Sequence, residues 1–271
     1  MKLERFSLRG RTAVVTGAVG LLGREHCLAL GEAAANVVVT DVDAAACERF
    51  ARELEAADVR AIGIAADITS KTDLERLRDA ALARFGGIDV LVNNAAIDDK
   101  YDAGADLGAS RFEEYALERW RRSLDVNVTG TFLCCQVLGK VMVDNGRGSI
   151  VNVASTYGVV APDQSLYVGK DGEQLFFKSA AYPVSKSAVI ALSRYLATYW
   201  GRSGVRVNTL SPGGVEAQQD AHFVENYSRR TPMGRMARRD EYRGALVFLA
   251  SEASSYLTGF NLVVDGGWTA W

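Results

Sequence analysis

The chain reads as an α/β protein, an open and doubly wound sheet of mostly parallel strands with helices on both faces. Three observations predict this. Seven short runs rich in Val, Ile and Leu alternate with longer amphipathic stretches along the 271 residues. Those runs are apolar on successive rather than alternate residues, the mark of strands covered by helices on both faces. All four prolines stand at position 162 or later, while 26 glycines punctuate the chain. Nothing before the first proline must therefore break a helix or a central strand.

In chain order the strands are expected at 12–16 (TAVVT), 36–40 (NVVVT), 59–65, 88–92 (IDVLV), 149–153 (SIVNV), 205–210 (VRVNTL) and 261–264 (NLVV). Helical patterns lie between them near 21–34, 44–57, 71–85, 111–144, 182–202 and 240–251. Repeated strand–helix units with right-handed crossovers give a parallel sheet. No linker, low-complexity tract or internal repeat interrupts them, so residues 1–271 are expected to form one domain. Two segments break the rhythm, a polar stretch at 97–110 and a mixed, aromatic-containing stretch at 162–181. Both follow strand C-termini, the edge at which open α/β sheets bind ligands.

Composition narrows the class of function. Lys and Arg number 31 against 33 Asp and Glu, for a net charge of −2. That balance gives no electrostatic reason to expect a nucleic acid or an anionic membrane as partner. With 48% apolar and 24% charged residues the mixture is that of a soluble globular protein. The N-terminal MKLERFSLRGRT is charged and lacks an apolar core, and no run approaches 18 apolar residues, so a cytoplasmic location is expected. Cys27, Cys47, Cys134 and Cys135 form no CxxC pair, and only His26 and His222 accompany them. No metal site is expected; the cysteines read as packing residues in a reducing compartment.

The first strand runs into TGAVGLLG at 16–23, which opens the first helix. Glycines there permit a tight turn and close approach of a pyrophosphate to the helix N-terminus. A plain turn would use the same residues. Asp41 ends the second strand 18 residues after Gly23, where a carboxylate can accept hydrogen bonds from both ribose hydroxyls of an adenosine. A 2′-phosphate would face that carboxylate with no Lys or Arg between Thr16 and Gly23 to offset it, which favours NAD over NADP. Asp41 could instead cap a helix. Asp67-Ile68 and Asn93-Asn94-Ala95-Ala96 close the third and fourth strands, as adenine contacts and a flat backbone surface or as turn chemistry.

Tyr182-Pro183-Val184-Ser185-Lys186 sets Tyr and Lys four apart on one helix face. A phenol of ordinary pKa about 10 must be brought towards neutrality to trade a proton with an alcohol. A cation at ~4 Å with an effective dielectric of ~20 contributes ~4 kcal/mol, roughly three pKa units before desolvation opposes it.

TGAVGLLG, NNAA at 93–96, DVNVTG at 125–130, NVAS at 152–155, YPVSK at 182–186, SPGG at 211–214 and YLTGFNLVVDGGW at 256–268 occur in one order. Together they resemble the short-chain dehydrogenase/reductase family, shorter-chain subclass, essentially end to end. The resemblance implies a single-domain Rossmann fold with a seven-stranded, mostly parallel sheet, and hydride exchange between NAD and a secondary alcohol. It implies that Ser155 orients the substrate oxygen, that Tyr182 exchanges its proton and contacts the cofactor, and that Lys186 lowers the Tyr182 pKa and binds the nicotinamide ribose. Asn127 would hold a water leading from Lys186 to solvent. Gly17, Gly20, Leu22, Gly23, Asp41, Val42, Asp67, Ile68, Asn94, Ala95 and Ala96 would line the adenosine and pyrophosphate path, with Pro212, Gly213 and Val215 near the nicotinamide. A homotetramer or homodimer, formed through helices 111–144 and 182–202, is also implied.

Three departures carry information. Leu21 stands where the shorter members usually have glycine, giving the TGxxGxxG spacing of longer, sugar-nucleotide-modifying members. Ala217 stands where Thr often bonds the carboxamide. Ser155 and Tyr182 lie 27 residues apart, about twice the family's separation, and the surplus is 162–181. Asp163, Gln164, Ser165, Tyr167, Lys170, Asp171, Glu173 and Gln174 make that insertion a lid suited to a sugar, sugar acid or polyol, or else an oligomer contact. The STYGVV wording followed by Ala161, Pro162 and Asp163 also resembles, more weakly, bacterial sugar-related oxidoreductases. Residues 214–235 are expected as a mobile substrate loop, in which Arg229 or Arg230 meets a carboxylate or lies on a solvated basic face. A 3-oxoacyl-type or steroid-type ketoreductase, a sugar-nucleotide epimerase and a non-enzymatic dinucleotide sensor are the alternatives.

Overall fold

The computed structural model describes residues 4–99 and 107–271; the part of the 97–110 stretch at 100–106 lies outside them. Seven strands form one parallel sheet: β1 (Thr12–Thr16), β2 (Asn36–Asp41), β3 (Ala61–Ala65), β4 (Val90–Asn93), β5 (Gly148–Val153), β6 (Val205–Pro212) and β7 (Asn261–Val264). Their order across the sheet is β3-β2-β1-β4-β5-β6-β7. Chain direction across the sheet therefore reverses between β1 and β4, which opens a crevice at their C-terminal ends.

The Val-rich strands serve two layers at once. Ala13 and Val15 of β1, with Val37 and Val39 of β2, face one side. There they pack on α1 (Leu21–Glu32), α2 (Ala44–Ala56) and α8 (Arg243–Ala250) through Cys27, Leu30, Cys47, Phe50, Leu54, Leu246 and Leu249. Val14, Val38 and Leu91 face the other side, against α3 (Lys71–Phe85), α5 (Thr131–Asp144) and α6 (Ala181–Trp200). Alternation of side chains along each strand, with both faces covered, is why no polar period appears in these runs. All four cysteines are buried and free within these layers.

Several boundaries move from their expected places. β2 continues to Asp41 because Asp41 pairs with Ala65 and its carbonyl accepts from Ala66 N at 2.9 Å. β6 reaches Pro212, a position at the strand end where a missing N–H costs no ladder bond. Residues expected to be helical at 111–116 form only 3₁₀ turns before α4 (Leu117–Leu124). The path from Leu117 to Asp144 is long and apolar enough to cross a membrane, yet half of its most apolar window is buried inside the protein. A π-helical turn, Asp125–Gly130, joins α4 to α5. Residues 214–235, expected as a mobile loop, contain α7 (Ala221–Arg230), capped by Asp220 accepting from His222 N at 2.8 Å.

Candidate active site

The glycine turn after β1 is shaped by backbone contact. Gly17 has φ +62°, and a Cβ there would stand 2.7 Å from Ala95 Cα. At Gly23 a Cβ would fall 2.0 Å from Gly17 O, so helix and turn touch with no room for a side chain. Gly20, at the head of α1, has φ −73° and offers no side-chain cap to the helix. The first-turn amides thus face an uncapped N-terminus, which suits a phosphate. Leu21 starts the helix itself, so that position needs no glycine, and the TGxxGxxG spacing is accommodated.

A groove of about 620 Å³ runs from this turn past Gly20, Leu22, Asp41, Val42, Asp67, Ile68, Asn94, Ala95 and Ala96. The expected cofactor residues along the β1–β4 edge are therefore gathered on one surface, except Gly23, which is buried behind the turn. Their contacts divide them by task. Asn94 fastens the turn from behind, its amide donating to Thr16 O and Gly17 O at 3.0 Å each. The Asp67 carboxylate is held by Thr69 N and Oγ1 at 2.9 and 2.7 Å. Asp41 is fixed at the groove edge, accepting from Val42 N at 2.8 Å and from Val19 N at 3.4 Å. Val42 is 71% exposed, an apolar surface open to a flat ring. Such a cradle fits a nicotinamide dinucleotide.

Ser155 follows the end of β5, its hydroxyl accepts from Tyr157 N at 3.1 Å, and it lies beside the phenol of the half-buried Tyr182. Lys186, one turn along α6, donates to Val153 O at 2.8 Å, and its Nζ lies 5.6 Å from the Tyr182 ring centre. Burial lowers its ammonium from 10.5 to about 8, against the raising field of Asp98. In the chain alone Tyr182 does not show the expected depression. Desolvation, then the Asp98 charge, raise its pKa, and the nearby Ser155 hydroxyl only partly opposes them. Lys186 stands at the ring face and is itself desolvated, so its field does not overcome these.

Asn127 is brought to this group by the π-helical turn, a device that turns a side chain inward. Its amide clamps Ile97 in both directions, donating to Ile97 O at 2.9 Å and accepting from Ile97 N at 2.8 Å. It also donates to Ser185 Oγ at 3.0 Å, so the side chain ties the β4 loop to α6. Its main-chain carbonyl accepts from Thr131 Oγ1 at 2.8 Å and has a second lone pair for a water.

Beyond β6, Gly213 N donates to Val264 O at 2.9 Å and Val215 pairs with Ala237, so Pro212, Gly213 and Val215 form a fixed shelf. Ala217 N donates to Gln219 Oε1 at 2.7 Å, and Gln219 Nε2 donates to Val215 O at 2.8 Å. Gln219 thus spends both ends of its amide on the backbone of this loop.

The insertion at 162–181 is folded rather than loose. Leu166 and Tyr167 join Tyr227, Met236 and Trp268 in a buried cluster, against which Phe176 and Phe223 pack. Four of its polar residues, expected to face a substrate or an oligomer contact, bond its own backbone: Asp163, Gln164, Asp171 and Gln174. Gln164 accepts from Lys178 N at 2.8 Å and donates to Lys178 O at 3.1 Å. Gln174 donates to Phe176 O and Gln164 O, and Asp171 accepts from Glu173 N. Asp163 pairs with Arg230 of α7, so Arg230 is no open anion site. Arg229 pairs with Glu225.

A family model described as enoyl-(acyl carrier protein) reductase matches residues 17–269. The chain belongs to the short-chain dehydrogenase/reductase family. It is an oxidoreductase acting on CH–OH donors with a nicotinamide dinucleotide. It is 36% identical to a D-threitol dehydrogenase of Mycolicibacterium smegmatis over 97% of this chain and 95% of that protein. Identity is 38% to a 2,5-dichloro-2,5-cyclohexadiene-1,4-diol dehydrogenase of Sphingobium indicum, over 97% of this chain and 98% of the other. The crystal structure of a gluconate 5-dehydrogenase from Burkholderia cenocepacia, in complex with NADP and tartrate, superposes with TM-score 0.87 at 30% identity, covering 99% of each chain.

Within this short-chain dehydrogenase/reductase, two residues near Tyr182 carry no sequence signal. Lys178, at the end of the insertion, has its Nζ 4.9 Å from the Tyr182 ring centre and pairs with Asp98 after β4. The two are 80 positions apart, and only the fold joins them. Tyr157 is the third omission: its hydroxyl meets that of Tyr167 at 3.2 Å, linking the Ser155 turn to the insertion.

Proposed function

We propose that this short-chain dehydrogenase/reductase interconverts a secondary alcohol of a polyol or sugar-like substrate with its ketone, using NAD. The observation that carries the chemistry is Tyr182 and Lys186 one turn apart on α6, the Lys186 Nζ 5.6 Å from the Tyr182 ring centre, with the Ser155 hydroxyl beside the phenol. When bound, the dinucleotide supplies the acceptor for the hydride that leaves the carbinol carbon. Ser155 holds the reacting oxygen, and Tyr182 takes the hydroxyl proton in oxidation and returns it in reduction. Lys186 anchors a ribose and holds positive charge behind the phenol. Asn127 fixes the β4 loop against α6 and leaves a carbonyl lone pair for a water serving Lys186. Gly17, Gly20, Leu22, Gly23, Asp67, Ile68, Asn94, Ala95 and Ala96 shape the adenosine and pyrophosphate path, and Pro212, Gly213 and Val215 back the nicotinamide. The D-threitol dehydrogenase among the relatives supports a polyol substrate. The protein works as a homo-oligomer, with Phe132 on α5 and Tyr195 and Tyr199 on α6 exposed for the contact.

Asp41 supports NAD over NADP. Two backbone amides fix its carboxylate at the groove edge, where a 2′-phosphate would meet like charge. At ~4 Å and an effective dielectric of ~20 that repulsion is ~4 kcal/mol, enough for a preference of at least about 100-fold. Steady-state rates on a panel of polyols, sugar acids, acyl thioesters and steroids, run with both cofactors, test both parts. The expected result is fastest turnover on a polyol with NAD. Faster turnover with NADP would overturn the cofactor assignment, and a steroid or thioester optimum would overturn the substrate class.

A further inference from the structure

The cations around the site are unevenly committed. Lys186 serves the phenol, while Arg229, Arg230 and Arg235 pair with Glu225, Asp163 and Glu241. Lys178 alone among these stands at the Tyr182 ring on the insertion side, and its side chain is 11% exposed. Its backbone is gripped at both N–H and carbonyl by Gln164, and its ammonium is held by Asp98. Its partner Asp98 is 36% exposed, and its charge acts on both Tyr182 and Lys186.

An ammonium has three N–H donors and a carboxylate about four lone-pair positions, so one mutual contact leaves capacity on both. A donor and an acceptor side by side match a hydroxyl group, which needs one of each. A carboxylate does not fit there, because Asp98 already neutralises Lys178 and would repel it.

Resting on the dehydrogenase reading above, we propose that Asp98 and Lys178 form a subsite for the hydroxyl on the carbon next to the reacting one. Lys178 donates to that oxygen and Asp98 accepts a hydrogen bond from its O–H, while Ser155 and Tyr182 hold the reacting oxygen. The pair selects neutral vicinal diols over carboxylated sugars and over simple alcohols.

The test compares 2,3-butanediol with 2-butanol, and threitol with threonate, in the wild type, Lys178→Met and Asp98→Asn. The wild type should favour 2,3-butanediol over 2-butanol, and threitol over threonate. Lys178→Met should lose about 30-fold in kcat/KM on 2,3-butanediol and stay within about threefold on 2-butanol, the size of a hydrogen bond to a charged group. Its affinity for NADH, read by fluorescence, should be unchanged. Asp98→Asn should narrow the preference for threitol over threonate. An equal loss on both butanols, or no loss on either, would overturn the subsite while leaving the dehydrogenase reading intact. Failure of the wild type to turn over either alcohol would overturn both.

Discussion

Tyr182→Phe is expected to lower kcat/KM by about 10³-fold, within the range for loss of a positioned acid–base group. The substitution removes one oxygen from a half-buried ring and leaves the packing of α6 in place. Cofactor affinity should change little, because the groove from Gly17 to Asp67 does not involve the phenol. Initial-rate kinetics beside fluorescence titration with NADH separate the two effects. Activity within about tenfold of wild type would refute the assigned proton carrier. The high pKa of Tyr182 in the chain alone adds a direction. Oxidation needs the phenolate, so kcat for alcohol oxidation should rise with pH, while ketone reduction, which needs the phenol, should fall.

The second large effect concerns stability in acid. His26 on α1 is fully buried, and neither ring nitrogen has a hydrogen-bond partner among the described residues. Burial lowers its pKa from 6.5 to about 4. The unfolded chain therefore binds a proton below about 6.5 that the folded chain refuses until about 4. The contribution is present above the unfolded value, drains away between the two and then levels off. A shift of that size corresponds to about 3 kcal/mol. Urea unfolding of wild type and His26→Leu across this window isolates the effect from that of the carboxylates. The wild type should lose about 3 kcal/mol more than the variant on acidification, and parallel profiles would contradict the assignment.

What the sequence made legible follows from where the information is local. The strands are runs such as 36–40 whose every residue is buried or nearly so, and the glycine turn and Tyr182–Lys186 pair sit within one turn of chain. The order of motifs then placed the groove at the β1–β4 crevice. Less of the insertion was legible, because its polarity has two uses that composition does not separate. Gln164 and Gln174 look like ligand groups in a string of letters but satisfy a short hairpin's backbone. The helix α7 was hidden for a similar reason. Phe223, Val224 and Tyr227 give one apolar face, but ten residues are too few to outweigh the loop expectation from flanking glycine and proline. Asp98 and Lys178 meet only after β4 and the insertion are brought to the same sheet edge, so no spacing rule could join them.

The most direct test of the central claim follows the carbinol hydrogen itself. Wild-type protein is given NAD and threitol deuterated at its secondary carbons, and the reduced dinucleotide is weighed by mass spectrometry. Hydride transfer within this site predicts one deuterium in each molecule of NADH formed. NADH carrying only solvent hydrogen, or no NADH at all, would contradict it.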